Sequence, residues 1–427
     1  MLLGTATLGV AATAAGVAGA VLDRSGPAGQ PPTGAAAAGL DASAGSATPA
    51  DAARLAAVAR RPHRGPHQPG VLTPPAPHGL LAAFECVDPD RRRLAETFRA
   101  LSAELDELTE GRTRAVVDAG LPPPDNGVLD GGADPALVGT LSVGASLFDH
   151  RYGLGRRRPR ELVPMPFLAN DRLDPARCDG DLLLVLQAGH PDGCVHALRR
   201  IMRRTRAGLV LRWLQAGFNR PDPRPVAGQT QTRNLLGFKD GTANPDAGDA
   251  ALMDDLVWLR PGAAEPQWTV GGTYQVVRVI RMFVEQWDRA STREQESIIG
   301  RHKHSGAPLG RAAETDLPSY PADPSGAQVP LDAHIRLANP RTAQATASRV
   351  LRRGFSYSRG VDAAGLLDQG LAFVSYQRRL AHFLAVQTRL SGEPLEEYIQ
   401  AEGGGFFFAL PGVSGPGDWL GRPLVES

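Results

Sequence analysis

Between residues 80 and 217 the apolar residues change period in a fixed order, and that order leaves few folds open. Leu81 to Val87 is a short apolar run, whereas Leu94, Phe98, Leu101, Leu105 and Leu108 recur at helical spacing with charges between them. Thr140 to Leu147 alternates as a strand, and Leu182 to Leu186 is a continuous apolar strand. Val195, Leu198 and Met202 mark a second helix, and Leu209 to Leu214 returns to strand. The order βαββαβ predicts a ferredoxin-like unit, an antiparallel sheet covered on one face by two helices.

The second half repeats the theme. Tyr274 to Phe283 reads as a long strand, residues 285 to 300 as a helix, and Phe355 to Tyr357 and Leu371 to Tyr376 as strands. Leu380 to Leu390 reads as a helix whose apolar residues are Leu380, Phe383, Leu384 and Val386, and Phe406 to Leu410 closes the series. The expected fold class is therefore α+β, with duplicated ferredoxin-like domains at residues 66–230 and 231–427. Two inserts, roughly 218–270 and 301–350, are rich in Pro, Gly, Asn and Asp and depart from the repeat. Structured loops of that length are where function is expected.

Bulk properties narrow the function. Across 427 residues, 46 Lys and Arg nearly balance 45 Asp and Glu, so nothing draws the chain towards nucleic acid. Cys86, Cys178 and Cys194 form no C-x-x-C pair, which argues against zinc, an iron–sulfur cluster or covalent haem attachment; isolated buried thiols are the simpler reading. From Leu2 to Leu22 no residue is charged, and Ala18-Gly19-Ala20 resembles a signal-peptidase site. The run is too weakly apolar for a permanent membrane span, so residues 1–22 are expected to be an export leader. A positively charged segment before it is missing, and the expectation is that a twin-arginine stretch lies upstream of this leader. Residues 23–65, rich in Ala, Gly, Pro and Ser, read as a disordered linker.

The inserts carry three short motifs. The first, Gly237-Phe238-Lys239-Asp240-Gly241-Thr242-Ala243-Asn244-Pro245, sets a lone carboxylate between glycines that allow positive φ and close approach to a flat ligand. By turn chemistry alone this is an Asp-Gly turn. The second, Asp332-Ala333-His334-Ile335-Arg336-Leu337-Ala338-Asn339-Pro340-Arg341, holds one imidazole, which suffices as an axial ligand to haem iron. The third is Leu351-Arg352-Arg353-Gly354. His302 and His304 lack partners at zinc-ligand spacing and are expected on a solvated loop.

In order and spacing these motifs resemble the dye-decolourising peroxidase family. His67-Gln68-Pro69-Gly70, the stretch from Gly300 to Gly310 and the stretch from Gly403 to Gly412 resemble its exported deferrochelatase/peroxidase branch. The resemblance runs from about residue 66 to 420 and implies a dimeric α+β barrel fold that binds one haem b per chain. It makes His334 the proximal iron ligand and Asp240 and Arg352 the distal catalytic pair. Gly241, Thr242 and Ala243 would lie along the haem, with Asn339, Pro340 and Arg341 lining it and Arg341 facing a propionate.

On this reading hydrogen peroxide oxidises dyes and other organic reductants. Asp240 moves the peroxide proton and Arg352 steadies developing negative charge. Proton return favours an acidic optimum. An acidic residue is expected on the other ring nitrogen of His334, without a sequence signal to identify it. Trp258, Trp268, Trp287, Trp419, Tyr357 and Tyr376 are electron-relay candidates by residue type alone; packing is their ordinary role. The alternative within the resemblance is a deferrochelatase that releases iron from haem beside iron-uptake proteins. A cofactor-free ferredoxin-like binding module, with Asp240 in a turn and His334 structural, is the plainest alternative.

Overall fold

The computed structural model describes residues 63–112, 114, 118–130, 132–220, 232–262, 264–415 and 417–426. The expected leader lies outside them, as does the expected linker up to residue 62. Eight long strands carry the fold: β1 (His78–Cys86), β2 (Val138–Gly144), β3 (Leu182–Ala188), β4 (Leu209–Phe218), β5 (Thr273–Met282), β6 (Phe355–Val361), β7 (Leu367–Gln377) and β8 (Ile399–Ala409). In the first half the strands lie in the order β4-β1-β3-β2, and in the second β8-β5-β7-β6, the same 4-1-3-2 order. The duplication expected from the alternating periods is therefore real. The halves join edge to edge: β8 pairs with β2 through Phe407↔Gly144, Phe408↔Val143 and Ala409↔Ser142, and β4 meets β6 at Phe218↔Ser356. Each half's last strand thus covers the other half's second strand. The sheet closes into a barrel with no long free edge.

Closure explains the apolar pattern. Leu182, Leu184 and Leu186 of β3 pack with helices α1 (Arg91–Thr109) and α2 (Pro191–Thr205), while Leu183 and Val185 join Leu81 and Ala83 in a separate core inside the barrel. Both faces are apolar, so the run is continuous. In β2 the alternation has another cause than one-sided solvation, since every residue is buried. Its polar positions turn into the barrel, where Ser142 donates to Gln275. The Gln68 carboxamide also donates to the carbonyls of Leu141 and Leu410, at 2.7 and 2.8 Å. The strand ends at Gly144, and Ala145–Phe148 is a 3-10 turn.

Two other expectations change. Val195, taken as a core marker of α2, is exposed; Cys194, Ala197, Leu198 and Ile201 form the buried face. The helix expected over 285–300 is broken into Val284–Trp287 and α3 (Thr292–Ile299). Ser291 is the cause: its hydroxyl accepts from the Glu294 N–H at 3.2 Å and starts a new helix. All three cysteines are free and buried, and the six candidate relay aromatics are buried in packing. Among the described residues no helix is long and apolar enough to cross a membrane.

Candidate active site

In the first half α1 and α2 press directly on the sheet. In the second half α5 (Leu380–Leu390) fully buries only Leu380 and Phe383. Phe383, Val386 and Leu390 turn onto a cavity of about 300 Å³, while Leu384 packs against the main core. Ile280, Leu371 and Phe373 form the sheet-side wall, facing Phe383, Val386 and Leu390 of α5. A ferredoxin-like helix has been held off its sheet by a slot. Helix α4 (His334–Ala338) lies against α5, and Arg389 of α5 donates to the carbonyls of Leu337 and Ala338 at 3.0 and 2.9 Å. Those are carbonyls at the C-terminal end of α4, so one guanidinium ties the short helix to the longer one.

His334 enters the cavity at the first position of α4. Its Nδ1 lies 2.8 Å from Oε2 of Glu393, a buried carboxylate just beyond α5. Glu393 is the acidic partner for which the sequence offered no signal. Burial disfavours a charged imidazole, but the attraction and hydrogen bond of Glu393, with help from Asp240, outweigh it and the opposing Arg352. The His334 pKa is raised above the ordinary value. With Nδ1 donating to a carboxylate, Nε2 keeps its lone pair for a metal.

From the sheet side comes the second pair. Residues Thr232–Arg233 and Lys239–Asp240 form a two-stranded ribbon joined by a tight turn. Gly237 (φ 83°) and Gly241 (φ 115°) occupy the left-handed region on either side of Asp240, the freedom expected of the flanking glycines. Arg352, in a short strand paired with β7 at Ser375, donates to the Asp240 carboxylate. Asn244 donates to the Arg352 carbonyl and accepts from the Arg352 N–H, both at 2.9 Å. Asn244 lies within the first motif, where no local pattern marks this role.

Gly241, Thr242, Ala243, Asn339 and Arg341 line the same cavity as His334, Asp240 and Arg352. Pro340 does not, and stands just after the residue that ends α4. Arg341 adopts φ 62°, and its N–H donates to Asn339 Oδ1 at 3.2 Å. Tyr320, not singled out by sequence, also lines the cavity; its hydroxyl is buried without a hydrogen-bond partner among the described residues. Burial raises its pKa against the pull of Arg341, Arg301 and Arg336. At another part of the wall Asp171 of the first half accepts from Arg278 of β5, with one contact at 3.1 Å. His302 and His304 lie apart from these lining residues; His302 Nδ1 is 3.1 Å from Glu296. Among the described residues no cluster of three or more His, Cys, Asp or Glu could hold a bare metal ion.

The donor set fits a haem. A flat apolar slot, one imidazole with its second nitrogen anchored, and a corner of guanidiniums around an unpartnered hydroxyl match the face, the iron and the carboxylates of an iron porphyrin.

Comparison with known proteins agrees. The model of the Dyp-type peroxidase N-terminal domain matches residues 68–219, and that of the C-terminal domain residues 231–414. A deferrochelatase from Escherichia coli O6:K15:H31 is 48% identical over 370 residues, covering 86% of this chain and 88% of the relative. A crystal structure of a DyP-type peroxidase from Streptomyces coelicolor is 35% identical with a TM-score of 0.76, covering 86% of this chain and 97% of that one. One from Cellulomonas bogoriensis is 34% identical with a TM-score of 0.76, covering 86% and 98%.

Proposed function

The chain belongs to the Dyp-type peroxidase family, and from that premise we propose how its residues divide the work of a haem-dependent peroxidase acting on peroxide and an organic reductant. The observation that carries the reading is the pairing of His334–Glu393 and Asp240–Arg352 on one cavity. Bound haem supplies an iron that takes peroxide and exchanges electrons. The family resemblance makes the group haem b, and it would be held without thioether bonds, since none of the three free cysteines lines the cavity.

His334 would hold the iron through Nε2, with Glu393 on Nδ1 fixing the ring orientation and enriching its electron density. The Asp240 carboxylate would take a proton from peroxide and return it to the departing oxygen. The Arg352 guanidinium stabilises negative charge as the oxygens separate. Tyr320 and Arg341 would bind the porphyrin carboxylates, with Asn339 shaping the turn that presents Arg341. Gly241, Thr242 and Ala243, which line the cavity, would pack along the porphyrin. Stopped-flow mixing of haem-loaded protein with peroxide tests the roles: Asp240→Asn and Arg352→Leu should each slow the reaction about 100-fold or more, and parent-like rates in both would refute them.

The relative named deferrochelatase supports a second reading, release of iron from haem beside iron-uptake proteins. Anaerobic incubation with haem separates the two: iron-free porphyrin fluorescence supports release, and peroxide-dependent dye bleaching without it supports the peroxidase alone. The uncharged run from Leu2 to Leu22 supports export. Homodimerisation rests on the family resemblance, and sedimentation of the holoprotein tests it.

A further inference from the structure

The stretch from Gly300 to Gly310 stood out in the sequence, yet none of the proposed proton-handling or iron-binding groups comes from it. The structure sets it and the following residues against the loop that carries Asp240. Arg233, on the ribbon strand opposite Lys239–Asp240, donates to the carbonyls of Lys303 and His304 at 2.8 and 2.9 Å, and to that of Gly237 at 2.8 Å. Arg301, buried, donates to the carbonyls of Gly306 and Glu314 at 2.6 and 3.1 Å. The Glu314 side chain then reaches the loop with both oxygens. Oε2 accepts from Lys239 Nζ at 2.6 Å, and Oε1 accepts from Thr242 Oγ1 at 2.7 Å.

Lys239 precedes Asp240 by one residue and Thr242 follows it by two. We propose that Glu314 is a positioning residue for Asp240, a two-pronged clamp that fixes the direction in which the distal carboxylate points into the cavity. A buried ion pair is weak evidence for stability, because desolvation offsets most of its attraction. The Lys239–Glu314 pair is almost wholly buried, and its geometry has a clearer consequence. Asp240 is carried by a two-residue strand between glycines in left-handed conformations. Such a turn has little intrinsic stiffness, and a carboxylate displaced by about 1 Å loses about 100-fold in proton transfer. Glu314 supplies the missing rigidity from the second insert.

The inference rests on Asp240 acting as the proton-handling group, so the test is a cycle built around that residue. Glu314→Ala removes both prongs, whereas Glu314→Gln keeps an oxygen to accept from Lys239 Nζ and an amide N–H to donate to Thr242 Oγ1. Each is made in the parent and in the Asp240→Asn background. Two rates are read on the haem-loaded protein: reaction with peroxide, and association of cyanide with ferric haem, in which hydrogen cyanide gives its proton to a distal base as cyanide binds iron. Thermal melting of the haem-free proteins reads stability separately.

In the parent background, Glu314→Ala should slow both rates about 10- to 100-fold, and Glu314→Gln should stay within about 5-fold of the parent. In the Asp240→Asn background, Glu314→Ala should add less than a 2-fold effect. A lowered melting temperature with both rates unchanged would make Glu314 structural and overturn the inference. Equal effects in both backgrounds would overturn it as well, while leaving the role of Asp240 intact. If Asp240→Asn itself left both rates unchanged, the underlying reading and the inference would fall together. Should Glu314→Ala not fold, Lys239→Met and Thr242→Val each release one prong, and each is expected to slow both rates about 3- to 10-fold.

Discussion

Asn244 holds Arg352 by its backbone, not by its charge: the carboxamide donates to the carbonyl and accepts from the N–H of the same residue, both at 2.9 Å. An asparagine from the first insert thus pins a residue 108 positions away, leaving the guanidinium free to pair with Asp240. Asn244→Ala leaves both backbone groups without this partner. We expect a loss of about 1–3 kcal/mol in unfolding free energy and about 10-fold slower reaction with peroxide. Chemical denaturation and stopped-flow absorbance measure the two effects.

Glu393 should tune the metal as well as hold the ring. A carboxylate accepting from Nδ1 makes the imidazole a stronger donor and favours the ferric state. In Glu393→Gln the iron potential should rise and haem affinity should fall about 10- to 100-fold. Spectroelectrochemical titration and haem transfer to an apoglobin report these. An unchanged potential would separate Glu393 from the metal.

The buried, unpartnered hydroxyl of Tyr320 gives a prediction of opposite signs. Without haem it is an unsatisfied donor, so Tyr320→Phe should leave the haem-free protein as stable as the parent or more so, by about 1 kcal/mol. With haem it should donate to a propionate, and the same substitution should weaken haem retention about 5-fold, the worth of about 1 kcal/mol. Melting of the haem-free form and haem dissociation kinetics check the pair of signs.

Acid stability should depend on His63. Burial, and then the neighbouring Arg64, lower its pKa from 6.5 to about 4, and neither ring nitrogen has a hydrogen-bond partner among the described residues. In the unfolded chain the ring takes a proton below pH 6.5. The folded state resists protonation, so the contribution is complete above pH 6.5 and is lost as pH falls towards 4, about 3 kcal/mol in all. His63→Phe should therefore lose less stability than the parent between pH 7.5 and pH 4. Urea unfolding at the two pH values gives the comparison; identical losses would exclude His63.

Much of this architecture was legible in the sequence because each half keeps its periods. The βαββαβ order appears in both halves, and the glycines around Asp240 announced a tight turn. What stayed hidden depends on packing. Thr140 and Ser142 alternate with apolar neighbours as they would on a solvated face, and only barrel closure turns them inward. Glu393 follows a helix end as any surface glutamate would, and its role appears only when α4 is laid beside α5. Glu314, Asn244 and Tyr320 act through contacts across 72 or more residues, or through the lack of one. No local pattern encodes such partners.

The central claim is that His334 and the Asp240–Arg352 pair serve opposite faces of one porphyrin. The most direct measurement is a crystal structure of the haem-loaded protein at high resolution. The account predicts iron bound by His334 Nε2, Glu393 still on Nδ1, and the Asp240 and Arg352 side chains above the other face. Iron bound by another side chain, or Asp240 on the same face as His334, would contradict it.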